Sequence, residues 1–353
     1  MQIDFHHAVT YLCARMAGFV AAEAEIIAYS AQYVDNAILD GIIRFTSGAR
    51  FSRLATAHEM LDLENMDYED GLKVWQPFHF LAGNGDCDAG IDPAGKFIEK
   101  LICRSDSVVA RHMVRAAFAD HAKPYALHRL GIAMHVYADT WAHQGFAGIK
   151  HEVNDISEVE ASGFGAGGRI RAKLLERAAP PVGHGQAGVL PDMPFLRWSY
   201  RNGLGQSIAR DNTELFCDAA DHMVKWMQRF RAGDPEGEAP GITDHRNAAA
   251  IRRLFTELTD EDGGIRHQAW LAAIAGGHTF IVDGQALAER PDYTPNGPGS
   301  WKWQALGRDS VLDVYEMQDG FATSNWKRFH DAAQVHRFTV LHDVLPAYGI
   351  LVG

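Results

Sequence analysis

Apolar residues recur along this chain with the spacing of helices far more often than with the alternation of strands. Ala21, Ala22, Ala24, Ile26, Ile27 and Ala31 make one long apolar face, separated near Gly18 from a shorter helix that begins at Ala8. Residues 96–104 and 106–121 read as two more helices. Residues 127–146, LHRLGIAMHVYADTWAHQGF, follow Pro124, a residue favoured in a first helical turn, and are apolar enough to be buried. Residues 206–230 are amphipathic and end in Lys225, Arg229 and Arg231, as the helix dipole prefers. Further helices are expected over 247–258, 266–275 and 321–345. With no internal repeat and little that alternates, the pattern predicts an all-α fold, a multi-helix bundle. The Gly-, Pro- and Glu-rich stretch 232–244 divides it into a core over 1–232 and a helical extension over 233–353, unless the two form one continuous domain.

The remaining segments read as connections. Residues 45–70 carry Glu59, Asp62, Glu64, Asp67, Glu69 and Asp70, a solvated acidic surface. Residues 83–90 form a turn-rich loop without the spaced carboxylates of a calcium loop, and glycine-rich 163–168 lacks the strand and Gly-Lys-Ser/Thr of a nucleotide loop. Residues 290–307 form a Gly/Pro/Trp-rich loop over either the site or the surface.

Composition narrows the function classes. The chain is 47% hydrophobic and 22% charged, as expected of a globular protein, and its net charge of −12 argues against an extended nucleic-acid surface. Cys13, Cys87, Cys103 and Cys217 are far apart and read as reduced thiols. Neither a signal peptide nor an unbroken apolar span is visible, so the expected location is the cytoplasm.

The candidate chemistry lies in residues 127–146. At about 100° per residue, His128, His135, Asp139 and His143 share one quadrant of the helix. Burying several imidazoles and a carboxylate without partners costs several kcal/mol, and a metal cluster satisfies them. A lone buried histidine is more often a hydrogen-bonded core residue, so the set gains weight only from partners elsewhere. Those on offer are Asp4, His6 and His7, Asp35 at a helix C-terminus, His79 between two phenylalanines, and His184 with Asp192. The dipeptides His330-Asp331 and His342-Asp343 invite comparison with HD-type phosphohydrolases but sit in a packed terminal helix.

In that order, Asp35, His79, His135, Asp139, His143 and His184 resemble the zinc-dependent phospholipase C and single-strand nuclease superfamily. The likeness is to a bacterial branch with openings like MQIDFHHAVTYL and central helices like LGIAMHVYADTWAHQGF. It covers roughly residues 1–200. The resemblance implies a mostly helical bundle holding three zinc ions, with Asp35 bridging two of them and holding the water. It further implies His79 and His135 on that pair with Asp139 shared, and His143 and His184 on the third ion. Asp192 matches the last carboxylate, with His151 and Asp155 as the alternative pair, and His128 stands behind the ligands. Secreted members also use the mature N-terminal amine and a Trp carbonyl as ligands. Here Met1 precedes the bulky Gln2 and no signal is seen, so Asp4, His6 or His7 is the expected replacement. The leading expectation is a zinc-dependent hydrolase of a small-molecule or lipid phosphoester, with two or three ions and iron or manganese as other metals. The alternatives are a helical binding or scaffold protein with structural metal, and a dinuclear iron or zinc enzyme of different chemistry.

Overall fold

The computed structural model describes residues 1–58, 68–163 and 182–352, with side chains from 72 onward in the second segment. Glu59, Asp62, Glu64 and Asp67 of the acidic stretch, and the glycine-rich loop beyond Gly163, lie outside the described residues.

The chain opens in a π-helical turn, Asp4–Val9, continuous with α1 (Thr10–Met16). Gly18, at φ 92°, breaks the helix, and α2 (Ala21–Asn36) follows. Asp4, His6 and His7 are thus inside the first helical element rather than ahead of it. A hairpin of β1 (Gly41–Arg44) and β2 (Arg50–Arg53) leads to α3 (Tyr68–Phe78). Next come a single turn, α4 (Ile98–Leu101), then α5 (Val108–Ala116) and the central α6 (Ala126–Ala142). β3 (Ile156–Ser162), β4 (Arg197–Asn202) and β5 (Ser207–Asp211) form an antiparallel sheet in that order. The chain continues through α7 (Asn212–Ala232), α8 (His245–Glu257) and α9 (Gly263–Ala275). It ends with the small hairpin β6 (Ile281–Val282) and β7 (Gln285–Ala286), α10 (Trp301–Leu306) and α11 (Asn325–Thr339).

The fold is therefore mixed, about 51% helix with 11% strand in three small antiparallel sheets, and the all-α expectation is corrected. The strands escape a periodicity reading because they are short, two to seven residues each. β4 buries Trp198, Tyr200 and Asn202 while turning Arg197 and Arg201 outward, an alternation over only six residues. Residues 207–211, expected in a helix, pair with β4 instead, and Asp211 caps α7 by accepting from the Glu214 N–H. The last hairpin did carry a signal. Asp283 and Gly284 both have positive φ, 50° and 75°, as a two-residue turn between antiparallel strands requires.

Two packing features position the site. Gly131 lets α6 approach α2: a Cβ there would stand 2.4 Å from the Ile27 carbonyl oxygen. The largest buried cluster also draws on both halves of the chain. Phe5 stacks on Phe255 at 5.9 Å and meets Phe216 edge-on at 5.3 Å, with Trp270 and Val344 in the same core. Among the described residues, no helix is long and apolar enough to cross a membrane.

Candidate metal centre

α6 is almost wholly buried, and it turns His135, Asp139 and, at its C-cap, His143 toward one another's ligand partners. α2 runs alongside and delivers Asp35 from its last turn. α3 ends around Pro77, whose carbonyl accepts from His336, and the chain then turns to place His79 opposite His135. The π-helical turn brings in His6, and the loop after Val182 brings in His184 and Asp192.

Three sets of ligand atoms converge: His6, Asp35 and His135; His79, His135 and Asp139; and His143, His184 and Asp192. The first two share His135, and Asp139, a member of the second, also reaches His143 of the third. Asp139 Oδ2 lies 3.3 Å from His135 Nε2, 3.5 Å from His79 Nδ1 and 3.6 Å from His143 Nδ1. Asp35 Oδ1 lies 3.7 Å from His135 Nε2 and 3.9 Å from His79 Nδ1. Asp192 lies 3.8 Å from His143 Nε2 and 3.7 Å from His184 Nε2. The Met1 amine is 2.6 Å from Asp139 Oδ1 and 3.2 Å from Asp192 Oδ1. His6 Nε2 is 3.1 Å from the same Asp139 oxygen.

Backbone carbonyls set the imidazole tautomers. His79 Nε2 donates to Thr56 O at 2.9 Å, His143 Nδ1 to His79 O at 2.7 Å, and His184 Nδ1 to Gly188 O at 2.8 Å. A carbonyl accepts only, so that nitrogen carries an N–H in each ring, and the other, Nδ1 of His79 and Nε2 of the other two, is the one turned toward the carboxylates. Metal-ligating histidines are oriented in this way.

The electrostatics agree. Burial holds His143 well below the usual histidine range and His6 at about 4, despite Asp139 beside both, so both are neutral near pH 7. Burial alone would raise Asp139, but His143, the amine, His135 and His6 together hold it well below the carboxylate range. Burial would likewise lower the Met1 amine, yet Asp139 and Asp192 push it up to about 11. Buried His6 Nδ1 has no hydrogen-bond partner among the described residues, at about 1–3 kcal/mol. The donor set, imidazole and carboxylate, fits zinc and its neighbours.

The other named residues lie elsewhere. Asp4 is in a buried ion pair with Arg266 at 2.6 Å, and His7 Nδ1 is 2.9 Å from His267 Nε2. His128 bonds to Asn325 and packs on Trp301, and burial lowers it to about 3. His151 accepts from the Val153 N–H and Asp155 from Gln186 Nε2, so neither joins the ligand groups. His330 accepts from the Leu54 N–H against Trp326, and Asp331 pairs with Lys327. His342 and Asp343 are exposed. Loop 290–307 reaches the rim, where the Tyr293 hydroxyl donates to Asn36 next to Asp35. The orienting carbonyls had no signature in the sequence, and the Met1 amine, which Asp4, His6 or His7 was expected to replace, itself lies against Asp139 and Asp192.

A family model spans residues 1–344, from the amino-terminal histidines to the last helix. The chain belongs to DUF6765, a family of unknown function. No curated protein and no solved structure matches it. Every residue of the cluster in this DUF6765 chain falls within the matched span.

Proposed function

We propose that this chain is a metal-dependent phosphoester hydrolase working through a multinuclear zinc cluster. The observation that carries the reading is three adjacent ligand groups, two joined through His135 and the third reached by Asp139, with ring nitrogens aimed inward by fixed carbonyls. The resemblance of the ordered ligand series to zinc-dependent phospholipase C and single-strand nucleases supports it. When bound, the ions would supply an activated water near neutral pH and a Lewis acid for the phosphoryl oxygen.

The chain's residues divide the remaining work. His79, His135, Asp139, His143, His184 and Asp192 hold the cluster, with His6 closing its amino-terminal side. Asp35 is the most exposed member, 32% against 19% for His184 and 0% and 1% for His135 and Asp139. It is therefore the ligand that can hold the attacking water and take its proton. Gln32 Nε2 donates to Asp35 Oδ2 at 3.3 Å and keeps the carboxylate in place. Three carboxylates and neutral imidazoles cannot neutralise two or three divalent cations, so a loaded site is net positive and selects an anionic substrate. A small-molecule or lipid-like phosphoester fits an acidic chain better than long nucleic acid.

The test is elemental analysis of the purified chain with hydrolysis of a phosphodiester such as bis-p-nitrophenyl phosphate. Two or three zinc per chain, lost together with hydrolysis in His135→Ala, supports the reading. Hydrolysis that survives in a folded His135→Ala chain sinks it. Iron in the same ratio redirects the site to different chemistry, and bound metal with no turnover of any phosphoester leaves the metal structural.

A further inference from the structure

The amino-terminal helix carries two adjacent histidines, and only one of them faces the cluster. We propose that α9 selects that register: Arg266 and His267 are positioning residues that clamp residues 2, 4 and 7 so that His6 meets Asp35 and His135. The proposal rests on the metal reading of the site.

Asp4 and His6 are both fully buried, yet residues two apart on a helix point to nearly opposite sides. Asp4 turns to α9, where its Oδ2 accepts from Arg266 Nε at 2.6 Å. The guanidinium is used on all three nitrogens, with Nη1 donating to Asp260 O at 2.6 Å and Nη2 to Gln2 Oε1 at 2.7 Å. A planar fork held at three points has one orientation, which a lysine could not reproduce. His7 Nδ1 meets His267 Nε2 at 2.9 Å. Gly263, on the same helix, is pressed against Gln2 so closely that a Cβ would stand 2.5 Å from its Oε1. The opposite face leaves His6 stacked on His135 at 3.8 Å between centroids.

A buried ion pair is a weak source of stability relative to apolar packing, and its best-attested use is to fix register. Register matters here because a slip of one residue would put Phe5 or His7 where His6 stands. The π geometry of residues 4–9 makes such a slip conceivable, since that turn already departs from α spacing. Asp4 and His7 are thus the anchored face of the helix and His6 the presented one. The centre also depends on a helix from beyond residue 232.

The test uses the full chain, stripped with chelator and reloaded with zinc, as wild type, Arg266→Lys, Asp4→Asn and His6→Ala. Zinc is counted by elemental analysis, and amide exchange is measured on the metal-free proteins. Arg266→Lys and Asp4→Asn are expected to weaken, by about 10-fold or more, the one ion that His6→Ala loses, and to keep the rest. In the metal-free variants residues 4–9 exchange faster while α6 exchanges as in wild type. Adding Arg266→Lys to His6→Ala removes no further zinc. A full complement with unchanged exchange in both variants overturns the clamp. So does parallel loss of all zinc with faster exchange throughout α6, because the pair would then serve only general stability. A wild-type chain that takes up no zinc overturns the metal reading itself, a result distinct from either.

Discussion

At the scale of single residues, the decisive contrast is between histidines that share a carboxylate and histidines that do not. His135, His143, His79 and His6 all surround Asp139. Asp139→Asn keeps the side chain's size but removes the charge common to the groups. It is expected to lower metal affinity by at least about 100-fold, measured by competition with a chelator, because even outer partners of ligands are worth 10–100-fold. His330 and His128 are different: burial lowers both to about 3, away from the cluster. Unfolding lets each take up a proton between about pH 3 and 6.5. Their contribution is thus fully present above the unfolded value and is lost as pH falls through that window. Chemical denaturation of the metal-free chain should show stability falling by about 1.4 kcal/mol per pH unit for each such group. His330→Gln should flatten that slope; an unchanged slope would contradict the assignment.

At the scale of elements, the site depends on how closely α2 and α6 approach and on how α6 ends. Gly131→Ala should gain about 1 kcal/mol of helix propensity. Against that stands a methyl group 2.4 Å from the Ile27 carbonyl, which only movement of a helix relieves, at about 1–3 kcal/mol. A lower melting temperature is expected, with weaker metal binding because α2 carries Asp35 and α6 carries His135. The C-terminus of α6 is held by buried Arg210 of β5, which donates to Trp141 O and Ala142 O at 2.7 Å each. Arg210→Met leaves those carbonyls without a partner just before His143. Loss of the ion at His143, His184 and Asp192 ahead of the others would show that the three-stranded sheet buttresses that corner.

For the molecule as a whole, the apolar core does not respect the 232–244 boundary. Phe255, Trp270 and Val344 pack in the cluster that holds Phe5 and Phe216. A fragment ending at residue 232 would expose the faces of α1 and α7 that they cover, and it is expected to lose cooperative unfolding by circular dichroism. A cooperative, soluble fragment would instead favour two separable domains. Chelation should lower the melting temperature of the intact chain, since metal bound to the folded state alone stabilises it by mass action.

Long periodic segments were legible because their pattern repeats over many turns. The central helix could be read from spacing alone, though the same spacing grouped His128, which bonds to Asn325, with His135, Asp139 and His143; the break at Gly18 and the helices near 247–258 and 266–275 were visible for the same reason. The short strands were not, since two to seven residues carry little period, and strand pairing is decided by a distant partner. The ordered series of His and Asp residues offered the ligands but did not separate His6 from His7 or Asp4. Their wheel positions are fixed by sequence, yet which face meets a cluster and which meets Arg266 depends on a helix more than 250 residues away in the chain. Local spacing determines what a segment can present. What it does present is settled by contacts between segments, because burial, tautomer and charge belong to the neighbours that packing supplies.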